Sequence, residues 1–227
     1  MTRVHLFLIG LIAMLAGCSG IANSPEKLGF GDISFSIPQA EEWQLPNGLK
    51  VYYYFNDELP QMRGRLYLPG GSLFNDSGIT GLAAATGSQM REGGVPGLLP
   101  DQLDKRLDDL AASIESAFGD EYGTVSFFSL SEDFDEVFSL FGQVVREPVF
   151  NAQRLGLWKM LAAERIRRRR DKPKTMAAMA FADLVYGDES AYSKTTTFES
   201  VRFIGVSRIS ELQLRANLRD SFSGELT

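Results

Sequence analysis

Apolar positions recur along the chain at two spacings, every second residue or every third to fourth, and their order predicts its elements. Trp43-Gln44-Leu45 and Leu49 to Phe55 are strand patterns flanking Pro46-Asn47-Gly48. Asn-Gly predicts a tight hairpin there, built on positive φ angles. Met62 to Leu68 alternates as another strand, and Pro69-Gly70-Gly71 ends it. Gly81 to about Glu92 reads as a helix of largely small residues in its first two turns. A second helix spans Asp101 to Leu110, with Leu103, Leu107 and Leu110 on one face. Ser113 to Phe118 and Thr124 to Leu130 are strands around the loop Gly119-Asp120-Glu121-Tyr122-Gly123.

Ser131 is the expected N-cap of the next helix, with Glu132 and Asp133 suiting the positive end of its dipole. Phe134, Val137, Phe138, Phe141 and Val145 form its apolar stripe, and Pro148 closes it. Gln153 to Arg170 predicts a long helix through Leu155, Trp158, Ala162 and Ile166. Another follows from about Thr175 to Val185, and Ser207 is the expected cap of a last one reaching about Arg219. Strands in pairs, then helices, then strands, without βαβ regularity, predict an α+β fold: a mostly antiparallel sheet packed against helices.

The amino terminus changes the picture. Arg3 precedes a short apolar run from Val4 to Leu15, and Leu15-Ala16-Gly17-Cys18 reads as a lipobox. The run falls short of the ~20 residues a membrane span needs. Residues 1–17 are therefore expected to be a lipoprotein signal peptide, with Cys18 lipidated. Ser19 after the cysteine resembles the Gram-negative lipoproteins sent to the outer membrane. The folded part is then expected in the periplasm. Residues 18–41 read as the lipidated cysteine and a tether, poor in large aliphatics. Imperfect alternation at Phe30, Ile33, Phe35 and Ile37 suggests an edge strand within it. The folded domain is expected over 42–227.

Composition narrows the chemistry. His5 is the only histidine and Cys18 the only cysteine, so processing would leave no histidine and one blocked thiol. A His-ligated zinc, a Ser–His–Asp triad or a Cys–His pair cannot then be built from this chain. No cofactor is implied, and no disulfide can form. The formal charge of −6 gives no support to nucleic-acid binding. The basic run at Arg165 and Arg167 to Arg170 reads as the polar end of a helix, with anionic lipid or a partner protein as the alternatives. Gly93-Gly94-Val95-Pro96-Gly97 lacks a following lysine and reads as a turn.

The succession Leu49-Lys50-Val51, Gly71-Ser72, Gly81-Leu82-Ala83, Ser126 to Leu130, Pro148-Val149-Phe150, Arg167 to Pro173 and Tyr186-Gly187-Asp188 resembles the amino-terminal domain of the M16 metallopeptidases. This is the insulinase, pitrilysin and mitochondrial processing peptidase family. The resemblance implies a zinc motif, His-x-x-Glu-His, after Gly-Leu-Ala. Two imidazoles four residues apart can reach one zinc, and the glutamate serves as general base. The matching positions here are Ala84, Gly87 and Ser88. The third ligand of the family falls near Glu164 or Arg165, with Glu164 as its candidate remnant. The family's His-Pro-Tyr is Ser190-Ala191-Tyr192.

The resemblance therefore implies a non-catalytic homologue with no metal site. Such members pair with a zinc-bearing subunit and help enclose unfolded peptides. A standalone peptide- or protein-binding lipoprotein is the alternative, and a residual hydrolase a third. Asp220 to Thr227 resembles the approach to a last strand of that domain, so the chain is expected to be a fragment of a longer protein.

Overall fold

The computed structural model describes residue 35 and residues 38–74 and 79–215. The lipobox, the segment ending in Thr227 and most of the Phe30–Ile37 alternation lie outside these; Phe35 is in no regular element. The described residues from Ala40 onward form one compact unit.

The strands are β1 (Glu41–Gln44), β2 (Lys50–Tyr53), β3 (Gln61–Pro69), β4 (Ser113–Phe118) and β5 (Tyr122–Leu130). The helices are α1 (Leu82–Glu92), α2 (Pro100–Asp109), α3 (Phe134–Arg146), α4 (Ala152–Arg167), α5 (Pro173–Tyr186), α6 (Phe198–Phe203) and α7 (Val206–Arg215). Helix and antiparallel sheet are thus combined as the pattern predicts. β3, β5 and β4 form a three-stranded antiparallel sheet in that order, while β1 and β2 form a separate hairpin.

The main core lies on one face of the larger sheet. Leu66 and Leu68 of β3, Val125 of β5, and Ile114 and Phe118 of β4 meet α1, α2 and α3 there. α3 contributes Val137, Leu140, Phe141, Val144 and Val145 to this core. Phe127, Phe134, Phe138 and Phe141 extend it as a ladder of ring contacts 5.1–6.0 Å apart. The other face carries Arg63, Arg65, Ser113 and Glu115, and Arg63 sits 5.2 Å over the Phe128 ring. One buried and one solvated face is what an antiparallel sheet tolerates. A second cluster joins Leu82 and Ala85 of α1 to Leu155, Trp158 and Ala162 of α4, with Val201, Ile204 and Ile209.

Four local expectations are corrected. At the hairpin turn only Gly48 takes a positive φ, of 86°. Asn47 works through its side chain, whose Oδ1 accepts from the Leu49 N–H at 3.1 Å, so the loop is wider than a two-residue turn. Ser131 is not a cap: Ser131–Asp133 form a 3-10 turn, and α3 starts at Phe134 without a side-chain cap bond. The long helix ends at Arg167, where Arg168–Asp171 tighten into 3-10 geometry ahead of Pro173. Ser207 lies inside α7. The caps that do form are Asn151, accepting from the N–H groups of Gln153 and Arg154, and Thr197, accepting from Ser200.

Candidate functional site

α1 carries the positions matched to the zinc helix. Gly81 precedes it at φ 86°. Ala84 is exposed and Ser88 half-buried, one turn apart on the same face. Gly87, between them in the motif, is buried. A Cβ added there would lie 2.3 Å from the Phe118 nitrogen and 2.7 Å from the Ala117 carbonyl carbon. The Ser116 hydroxyl donates to the Gly87 carbonyl at 2.5 Å. α1 therefore rests directly on the backbone of β4. The volume a side chain at 87 would need is taken by the strand, so a glutamate fits only if the helix lifts away.

Glu164 stands near the end of α4. Arg167 Nη1 and Arg168 Nε each donate to its carboxylate at 2.5 Å. The hydrogen bond from Arg168, then the charges of both arginines, hold the Glu164 carboxyl below the usual carboxylate range. Its oxygens are engaged within α4 and the turn that follows.

The other arginines of the basic run are engaged too, except Arg170. Arg165 lies 5.9 Å from the Trp158 ring centroid. Arg169 donates to Thr195 Oγ1 at 3.0 Å and to the Thr196 carbonyl at 2.9 Å. Ser190-Ala191-Tyr192 forms a turn, and the Tyr192 hydroxyl donates to Glu121 at 3.0 Å, tying that turn to the β4–β5 loop. That hydrogen bond, followed by partial burial, raises the Tyr192 pKa.

Zinc does not fit the residues present. The Ala84 methyl has no lone pair, Gly87 has no side chain, and a serine hydroxyl is not among zinc's usual protein ligands. No group of three His, Cys, Asp or Glu side chains among the described residues could hold a metal ion. Nor is any helix among them long and apolar enough to cross a membrane.

Two features lay beyond the sequence reading. Asp104 is a polar hub: it accepts from Arg91 of α1 and, at 2.7 Å, from Arg154 of α4. Burial would raise its pKa, but the hydrogen bonds and charges of Arg91 and Arg154 prevail and hold it below the ordinary value. The apolar stripe of α2 predicted its buried face, whereas the polar partners of Asp104 come from distant parts of the chain. The second feature is the edge of β4, which pairs with β5 alone among the described strands. Ser113, Glu115 and Ala117 of this strand are exposed on the solvated face of the sheet.

No protein-family model matches the chain, and no curated protein does. Solved structures do. The peptidase M16 inactive domain from Pseudomonas fluorescens matches with a TM-score of 0.70 at 23% identity, covering 77% of this chain and 43% of that one. The ferredoxin protease FusC, an E83A mutant in complex with Arabidopsis ferredoxin, matches at 0.65 and 14% identity, covering 87% and 24%. The periplasmic protease PqqL from Escherichia coli matches at 0.65 and 15% identity, covering 95% and 24%. This chain thus spans less than half the length of each of these structures. At these identities the likeness is one of fold, and the folded part of this chain has the fold of an M16 peptidase domain.

Proposed function

We propose that the chain is a zinc-less M16-like lipoprotein that partners an active M16 zinc peptidase in handling peptides. One observation carries the reading: α1 lacks the ligands and the base, and Gly87 sits where β4 leaves no room for a side chain. A catalytic helix emptied of its chemistry but kept in place suits a structural half. The lipobox at Cys18 supports anchoring at the outer membrane, with the domain facing the periplasm. The periplasmic address of PqqL, a protein of this fold, agrees with that compartment. FusC in complex with ferredoxin shows that a protein of this fold can hold a protein. In this chain β4, which pairs with β5 alone among the described strands, offers an edge for an extended peptide to add as a strand.

The test is a pull-down of the full-length, solubilised lipoprotein, with zinc analysis and a peptide-cleavage assay on the eluate. A zinc-bearing partner, with cleavage only in its presence, is the expected result. Elution alone, metal-free and inert, would hand the function to the standalone binding or scaffold reading. Cleavage by the isolated, metal-free chain would instead revive a hydrolase.

A further inference from the structure

α5 is apolar over most of its surface, yet none of its fourteen residues is buried. A helix of that composition is ordinarily covered by protein. Phe181 is 65% exposed, Leu184 83% and Val185 52%. Ala177, Ala178, Phe181, Leu184 and Val185 recur at three- and four-residue spacing, so they share one face. Exposed Lys174 lies on the same face at the amino end, and exposed Asp188 lies just past the carboxyl end, beyond Gly187. Of the half-buried residues, Met179 is on the opposite face and Ala182 borders the stripe beside Ala178.

This stripe is self-complementary. We propose that α5 pairs antiparallel with α5 of a second copy, about a two-fold axis at Phe181. In that register Phe181 meets the partner's Phe181. Ala177 and Ala178 face the partner's Val185 and Leu184, small against large. Lys174 lies at the end where the partner's helix runs on to Asp188 and Glu189, basic end against acidic end. Every contact off the axis occurs twice, as in any two-fold interface. The flanking charges follow the same polarity. Arg170 and Lys172 outnumber Asp171 at one end, and Glu189, bonded to Lys194 at 3.2 Å, lies at the other. Antiparallel helix dipoles also oppose favourably. A parallel pair would set like charges together, and an anionic lipid surface would repel Asp183, Asp188 and Glu189. The pairing does not rest on the zinc-less reading, and it uses a helix remote in sequence from the β4 edge.

A single helix pair, ~21 Å long, makes a small interface, so dissociation in the micromolar range is expected. Sedimentation of the full chain in mild detergent, up to about 200 μM, reads it. The expected result is a reversible dimer, made monomeric by Phe181→Glu with Leu184→Glu while circular dichroism stays unchanged. Lys174→Glu or Asp188→Lys alone weakens it about three- to tenfold, and the two together restore it. In a Cys18→Ser background, Phe181→Cys oxidises to a covalent dimer and Asp183→Cys, on the other face, does not. A monomer throughout, or a dimer indifferent to Phe181→Glu with Leu184→Glu, would overturn the pairing. So would a monomer whose α5 instead binds vesicles of anionic lipid.

Discussion

α1 and α5 reverse what their compositions suggest. α1 is rich in alanine and polar residues, yet buries Leu82, Ala83, Ala85, Thr86, Gly87, Gln89 and Met90. α5 carries two methionines, phenylalanine, leucine, valine and tyrosine, yet buries none. The difference is one of approach. Small side chains let α1 settle against β4, α4 and α7, so its own backbone becomes part of the core. The bulk on the outer face of α5 instead builds a surface. Smallness marks where two backbones meet, and exposed bulk marks where a second surface fits.

The harshest way to break this comparison is to give α1 a side chain at Gly87. Gly87→Val or Gly87→Glu should cost more than ~3 kcal/mol, because the nearest atoms are strand backbone and cannot rotate aside. Ala84→His and Ser88→His, at exposed and half-buried sites, should cost less than ~1 kcal/mol. Urea denaturation measures both. Native stability in the Gly87→Glu variant would mean that α1 does not rest on β4. Restoring all three motif residues should therefore yield an unstable protein rather than a zinc site.

The joint holding α1 in place is the next target. Arg91 bonds both the Ile114 carbonyl, at 3.2 Å, and Asp104, which also receives Arg154. Asp104→Asn should cost about 1.5–3 kcal/mol, the range for hydrogen bonds to charged groups. The folded Asp104 carboxyl titrates below its ordinary value. Its contribution is therefore complete above the unfolded pKa and is lost as pH falls through the lowered folded one. Denaturation midpoints for wild type and Asp104→Asn should stay apart from pH 7 down to about pH 4, then approach and meet as pH falls through the lowered folded pKa. Parallel curves across that range would remove Asp104 from the joint.

How far the sequence carried these features depends on the kind of signal. The Phe134–Val145 stripe, the alternation in β3 and the Leu103–Leu107 face of α2 were legible, because one periodic face meets one core. Element ends were less so. Ser131 has the right chemistry for a cap, but the chain makes a 3-10 turn before α3. Asn151, which does cap, follows Pro148-Val149-Phe150 and carries no periodic signal. α6 went unseen because its six residues are too short to show a period, although Thr197 and Ser200 form its capping box. The degenerate positions Ala84, Gly87 and Ser88 were visible only through resemblance. That β4 fills the space over Gly87 is a tertiary fact no local pattern encodes.

A smaller effect should run the other way. Gln89 is fully buried in α1, and its Oε1 has no hydrogen-bond partner among the described residues. Its amide reaches Glu92 only at 3.4 Å. Gln89→Leu removes the orphaned carbonyl and should gain ~1 kcal/mol. A loss of that size in the same denaturation assay would show that the carbonyl has a partner in solution.

The smallest expected effect is the most discriminating for α5. Leu184→Ser removes a side chain that touches little within its own copy, so the monomer should change by less than ~0.5 kcal/mol. Phe141→Ser, in the ring ladder of α3, should cost at least ~3 kcal/mol. Both substitutions remove a large apolar side chain from a helix. Only the presence or absence of covering atoms separates them. If α5 pairs with a second copy, the Leu184→Ser cost reappears as concentration rises, because the dimer then holds part of the stability. A Leu184→Ser midpoint that tracks wild type at every concentration would leave α5 uncovered by a second copy. A cost already present at high dilution would mean that the helix folds back on its own domain.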